Sequence, residues 1–223
     1  MGQKHSSNVF TSETHPLQVD FIPSEYLPTN SRLGLCMCPG RNKKCWRRDL
    51  TQDLDRIKQC QTQTLVTLVT EHELHKMGIA SYLEVVQSDP YQLQSFHFPI
   101  TDKSLPRDRE EFCNLIDFIV KELVAQRTVV VHCNGGKGRA ATVCTAVLVA
   151  LRMHKISTCE RYLEKVGDAI EVVRKTRGGG TLKNPLQIIW LKTKYVSHYG
   201  RFHMDKQFKK ASLSIAHVEI MEE

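Results

Sequence analysis

With 223 residues, 41% hydrophobic and 25% charged, the chain has enough apolar side chain for one sizeable core and too much for a disordered protein. It contains no apolar run of the roughly 18 residues a membrane span needs, and no secretory signal pattern opens it, so a cytosolic or nuclear protein is expected. The net charge of +7 predicts anionic partners, but no aromatic-interleaved basic patch or zinc-finger spacing favours nucleic acid among them.

Residues 1–17 are polar and without periodicity and are expected to be disordered. Met1-Gly2-Gln3-Lys4-His5-Ser6 fits the pattern in which Gly2 is acylated with myristate, making Gly2 a candidate lipidation site. A single acyl chain with Lys4 beside it implies weak membrane association. A domain over 18–199 is expected to follow, opening with short strands at Val19–Ile22 and Leu33–Met37. Pro39-Gly40 marks a turn, and the basic stretch Arg41–Arg48 reads as a solvated loop.

Asp49 is placed to cap a helix carrying Leu50, Leu54 and Ile57 on one face. Thr64–Val69 predicts a strand, Glu71–Gln87 a helix broken at Gly78, and Leu93–His97 another strand. After the loop Thr101–Pro106, residues Phe112, Leu115, Ile116, Ile119 and Leu123 line one face of a strong helix. Asp102 is the only carboxylate of that loop.

Ala140–Met153 is apolar nearly all round and reads as a buried central helix. Ser157 and Glu160 suggest a capping box for a helix through Leu163, Val166, Ile170 and Val173, ended by Gly178-Gly179-Gly180. Asn184-Pro185 opens a last helix through Tyr195, and 200–223 is expected to be a flexible tail.

The eight cysteines lie in a chain without a secretory signal, so reduced thiols are expected. Cys36, Cys38 and Cys45 lack a fourth ligand at zinc-like spacing, and the histidines of His72-Glu73-Leu74-His75 are three apart rather than four. Both groups read as structural or solvated, with no metal and no cofactor implied.

The chain is organised around Val129-Val130-Val131-His132-Cys133-Asn134-Gly135-Gly136-Lys137-Gly138-Arg139. A β-branched run stops at a cysteine, turns through glycines and resumes at an arginine opening the apolar helix. Such a loop directs successive N–H groups inward, and the helix adds its positive end. Gly135, Gly136 and Gly138 permit a tight turn, and Arg139 supplies a planar fork for two oxygens of a tetrahedral anion. A positive field at Cys133 favours thiolate, the nucleophilic form. Sulfur attack on a phosphate ester uses all of these together, and Asp102 can supply the proton for the departing oxygen.

His132-Cys133 followed by five residues and Arg139 resembles the phosphate-binding loop of the cysteine-dependent protein phosphatase superfamily. Together with Leu33-Gly34-Leu35-Cys36, Pro39-Gly40 and Pro99-Ile100-Thr101-Asp102, it resembles the cyclin-dependent-kinase-associated phosphatases, a dual-specificity group. The resemblance implies a single-domain α/β fold with a mixed, mostly parallel central sheet flanked by helices. It implies Cys133 as nucleophile, Arg139 and the loop residues Asn134 to Gly138 as the phosphate cradle, and Asp102 as acid and then base. It also implies that His132 orients the loop and that Gln187 positions water, with Lys183 at the companion position. The implied partner is a phosphorylated protein, a cyclin-dependent kinase among the candidates.

One departure stands out: Ala140 occupies the position where the family usually has Ser or Thr, whose hydroxyl stabilises the departing thiolate. A slow second step follows, and in the limit a phospho-residue binding module with low turnover. Lys137 also resembles the loop lysine of the phosphatase and tensin homologue lipid phosphatases, which implies a phosphoinositide as the alternative substrate. Cys36 and Cys144 are candidates for a thiol that resolves oxidised Cys133.

Overall fold

The computed structural model describes residues 9–88, 91, 93–156, 158–161 and 163–204. Its centre is a five-stranded sheet. In chain order the strands are β2 (Asp20–Phe21), β3 (Arg32–Met37), β5 (Thr64–Thr67), β6 (Gln94–His97) and β7 (Thr128–Cys133), arranged β2-β3-β7-β5-β6. Only β2 runs antiparallel to its neighbour; β3, β7, β5 and β6 are mutually parallel. The β-branched Val129, Val130 and Val131 occupy the middle strand and are fully buried, as a strand covered on both faces requires. Two further short strands, β1 (Phe10–Thr11) and β4 (Trp46–Arg47), pair with each other outside this sheet.

One face is covered by α4 (Arg109–Val124), α5 (Arg139–Met153) and α6 (Val166–Arg177), which share a core with Leu33, Leu35, Val129 and Val131. The other carries α1 (Leu50–Gln59), α2 (Glu71–Lys76) and α3 (Tyr82–Gln87), packed on Cys36, Leu65 and Val130. The predicted signals operate as expected in several places. Asp49 accepts the N–H of Gln52 at 2.8 Å, and Gly78 separates α2 from α3 at a positive φ of 73°. Asn184 caps α7 (Pro185–Trp190) by accepting from Leu186 at 3.0 Å.

Four expectations are corrected. Residues 9–17 are folded onto the domain: Phe10 and Thr11 pair with Trp46 and Arg47, and Leu17 is buried. The basic stretch is anchored rather than simply solvated, because Arg48 is buried against Asp53 with both guanidinium contacts at 2.7 Å. Asp53 also accepts from Ser12 Oγ and the Gly40 N–H, each at 2.9 Å. A buried carboxylate with this many donors is tolerated where an unpaired one would not be.

The sixth helix begins at Val166, not near Ser157: the Asp168 carboxylate accepts the Lys165 N–H at 3.0 Å and starts the helix there. The last helix also continues through a π-helical stretch, Leu191–Tyr195, to residue 204. Its Tyr199 is fully buried and bonds Asp117 of α4 at 2.6 Å, and Phe202 is buried in the same core, so the chain past residue 200 packs against the core. Gly2, Ser157 and the stretch 205–223 lie outside the described residues. Among those described, no helix is long and apolar enough to cross a membrane.

Candidate active site

The site forms where β7 ends and α5 begins. Between them four of the loop carbonyls, those of Asn134, Gly135, Lys137 and Gly138, are tied to neighbouring donors. Asn134 O accepts from Cys38 N at 3.3 Å and Arg41 Nη1 at 3.4 Å, and Gly135 O accepts from Arg177 Nη2 at 3.3 Å. Lys137 O accepts from Leu182 N at 2.9 Å, and Gly138 O from Thr142 N at 2.8 Å. None of the N–H groups of Asn134 through Gly138 donates to another described residue, which leaves them to converge on an anion at the positive end of α5.

Gly136 makes the turn possible. Its φ is +69°, and a Cβ there would stand 2.5 Å from the Cys36 carbonyl, closer than any side chain tolerates. The loop therefore lies directly against β3, with Cys133 registered beside Met37. Cys133 is buried beneath it, at the base of a cleft of about 640 Å³ that also takes in Arg139, Asp102 and Gln187.

Arg139 is the most heavily bonded side chain of the site. Nη1 donates to Glu73 Oε2 and to the Ile100 carbonyl, each at 2.6 Å, while Nη2 donates to Glu73 Oε1 at 2.7 Å and Asp102 Oδ1 at 3.0 Å. Its Nε is buried without a partner, so this donor remains for a substrate oxygen. Burial opposes the guanidinium charge, but the hydrogen-bonded Glu73 carboxylate outweighs it and holds the arginine above its ordinary range. Glu73 shows the converse: burial raises its pKa, and the Arg139 hydrogen bond leads a set of opposing interactions that bring it below the usual carboxylate range.

Asp102 sits on the loop anchored by Ile100 and by Asn184, whose side chain donates to Lys103 O at 2.8 Å. Its carboxylate is about half exposed and faces Arg139, within the same cleft as Cys133. His132 is wholly buried, with Nε2 2.8 Å from Thr67 Oγ1 and 2.7 Å from Tyr82 Oη. Burial, reinforced by Arg139, pushes its pKa down to about 3, so it supports the strand end as a neutral ring. Gln187 is buried against Gly138, and its Oε1 has no partner, leaving an acceptor available for a water. Thr142 donates back to Gly138 O at 3.1 Å, so its hydroxyl is engaged with its own helix and does not replace the one missing at Ala140.

The sequence pattern brought together Cys133, the loop, Arg139 and Asp102, and the family resemblance added Gln187; all five line one cleft. It missed Glu73, which was weighed only as part of a metal motif and read as structural or solvated; the capping box it forms with Thr70 was the available signal. It also missed Tyr82 and Thr67 on His132, and Arg41 and Arg177 on the loop carbonyls. The proposed resolving thiols fare poorly. Cys36 and Cys144 are buried, and desolvation pushes both thiols far above the ordinary cysteine range, the reverse of what thiolate exchange needs.

The family profile described as cyclin-dependent kinase inhibitor 3 (CDKN3) matches residues 4–162. The chain belongs to that family. Cyclin-dependent kinase inhibitor 3 of Sus scrofa is 28% identical over 179 residues, 80% of this chain and 79% of the relative. The Homo sapiens protein is 27% identical over the same span and shares. Among solved structures, kinase associated phosphatase (KAP) carrying serine for its catalytic-site cysteine superposes with a TM-score of 0.73. It is 24% identical and covers 82% of this chain and 96% of that one. PTPMT1 superposes at 0.53 with 17% identity over 87% of this chain and 99% of its own. The fold is thus that of the protein-tyrosine-phosphatase-like enzymes. The family match ends at residue 162, before Lys183 and Gln187.

Proposed function

We propose that this protein removes phosphate from phosphorylated side chains of a protein substrate through a phosphocysteine at Cys133. The names of its CDKN3 relatives, together with that of kinase associated phosphatase, support a cyclin-dependent kinase as that substrate. The observation that carries the reading is the loop whose carbonyls at Asn134, Gly135, Lys137 and Gly138 are engaged by neighbouring donors while its N–H groups and Arg139 Nε remain undonated above Cys133.

In the first step Cys133 Sγ attacks phosphorus, forming the S–P bond as the P–O bond to the substrate side chain breaks. Asp102, as the acid, gives its proton to that oxygen. The loop N–H groups and Arg139 bind the equatorial oxygens, where charge is spread in the transition state. In the second step the Asp102 carboxylate takes a proton from water held by Gln187. The water oxygen bonds to phosphorus, and the S–P bond breaks to return Cys133 as thiolate and release inorganic phosphate.

Ala140 offers no hydroxyl to that departing sulfur, so the second step limits turnover. A panel of phosphoserine, phosphothreonine and phosphotyrosine peptides, run beside Cys133→Ser, tests the assignment. Hydrolysis lost in the variant while phosphopeptide binding persists is expected. Hydrolysis surviving in the variant would refute it.

A further inference from the structure

We propose that a second anion subsite beside the catalytic loop, formed by Lys137, Lys183 and Lys175, binds a second phosphate on the same peptide substrate. This rests on the phosphoprotein reading above and narrows it to doubly phosphorylated segments.

The cleft holds far more positive charge than one phosphate requires. Besides Arg139 it is lined by Arg41, Lys43, Lys44, Lys103, Lys137 and Lys183, against Asp102 as its one carboxylate among the described residues. Next to it lies a hollow of about 450 Å³ bounded by Arg174, Lys175, Lys183 and the stretch 178–181, which supplies no carboxylate at all. The two spaces meet at Gly180 and Lys183.

At that junction Lys137 and Lys183 converge, and Lys175 lines the hollow beyond them. Lys137 Nζ donates to Gly179 O at 2.7 Å. A Cβ placed on Gly180 would lie 3.9 Å from Lys137 Nζ and 3.8 Å from Lys183 Cε. Among the described residues no carboxylate pairs with Lys137, Lys175 or Lys183, whereas Arg174 is already taken by Glu171 and the Leu182 carbonyl. Bringing like charges together is unfavourable unless an anion lies between them. Gly178 and Gly180, at φ +81° and +86°, carry the chain through this corner with no side chain to fill the hollow.

The corner is mechanically part of the catalytic loop, since Leu182 N donates to Lys137 O at 2.9 Å. The hollow is a separate space beside the loop rather than a deeper part of it. An extended peptide advances about 3.3–3.6 Å per residue, so second phosphates placed at successive positions probe this space in steps of that size.

The test uses the full chain as Cys133→Ser, titrated with a singly phosphorylated peptide and with peptides carrying a second phosphate at successive positions on either side. One register is expected to bind about tenfold more tightly than the single phosphate, the size of one good charge-assisted contact. Lys175→Ala and Lys183→Ala should each remove most of that advantage, and Lys175→Ala should leave the singly phosphorylated peptide unaffected. The subsite is refuted if every register binds like the single phosphate, or if the advantage survives both substitutions. It is equally refuted if only soluble inositol bisphosphate, run in parallel, gains from these lysines. Absence of binding to any phosphopeptide would instead remove the phosphoprotein reading itself.

Discussion

At the scale of single residues, Arg139 is a fixed plane rather than a free cation. Glu73 grips both of its terminal nitrogens, and the Ile100 carbonyl holds one of them, so the undonated Nε has a set direction. Arg139→Lys keeps the charge and loses the plane, and kcat should fall by roughly 10²–10³. Glu73→Gln should leave KM nearly unchanged and lower kcat, because it acts through Arg139; stopped-flow assays on one phosphopeptide separate the two. Asp102→Asn should cost about 10²–10⁴ in kcat on alkyl phosphates and much less on aryl phosphates whose leaving oxygen needs no proton. Equal losses on both would remove Asp102 from the acid role. Gly136→Ala brings a Cβ into the Cys36 backbone at a positive φ, and a cost of about 2 kcal/mol or more is expected in urea unfolding.

At the scale of elements, β7 and α5 form the lever that holds the loop, and each carries its own test. The β7 residue His132 is buried neutral with its pKa pushed down to about 3, while an unfolded histidine titrates near 6.5. Between these values the unfolded chain binds the extra proton, so stability is fully present above pH 6.5 and falls as pH drops toward 3, by up to about 1.4 kcal/mol per pH unit. Urea midpoints taken across that window should show the decline, and His132→Gln should flatten it. For α5 the expected outcome concerns Ala140: in Ala140→Ser the breakdown of the phosphoenzyme should accelerate while its formation does not. Rapid-quench traces that leave both phases unchanged would show that a first-turn hydroxyl has no part in the second step.

At the scale of the whole molecule, what was legible in the sequence was local. Val129 to Val131 could only be a buried strand, the glycines only a tight loop, and the apolar run after Arg139 only a core helix; together they place Cys133. Long-range pairings were not legible. Glu73 stands 66 positions from Arg139, and its neighbouring histidines drew attention to metals. Arg48 looked solvated because nothing local reveals that it converges with Ser12 and Gly40 on the buried carboxylate of Asp53. The end of the domain was misplaced because Tyr199 and Phe202 are spaced too sparsely to announce a helix, although both pack in the main core.

Truncation after residue 195 should therefore destabilise the whole domain, since it removes the Tyr199 to Asp117 bond at 2.6 Å together with the buried rings; a thermal melt of the shortened chain checks this. The central claim is that sulfur becomes bonded to phosphorus, and the most direct measurement is acid quench of the wild-type protein within its first turnover, followed by mass analysis of the Cys133 peptide. The account predicts phosphate on Cys133 approaching one equivalent before steady state, sustained because Ala140 slows its release. Inorganic phosphate appearing at full rate with none ever found on Cys133 would contradict it.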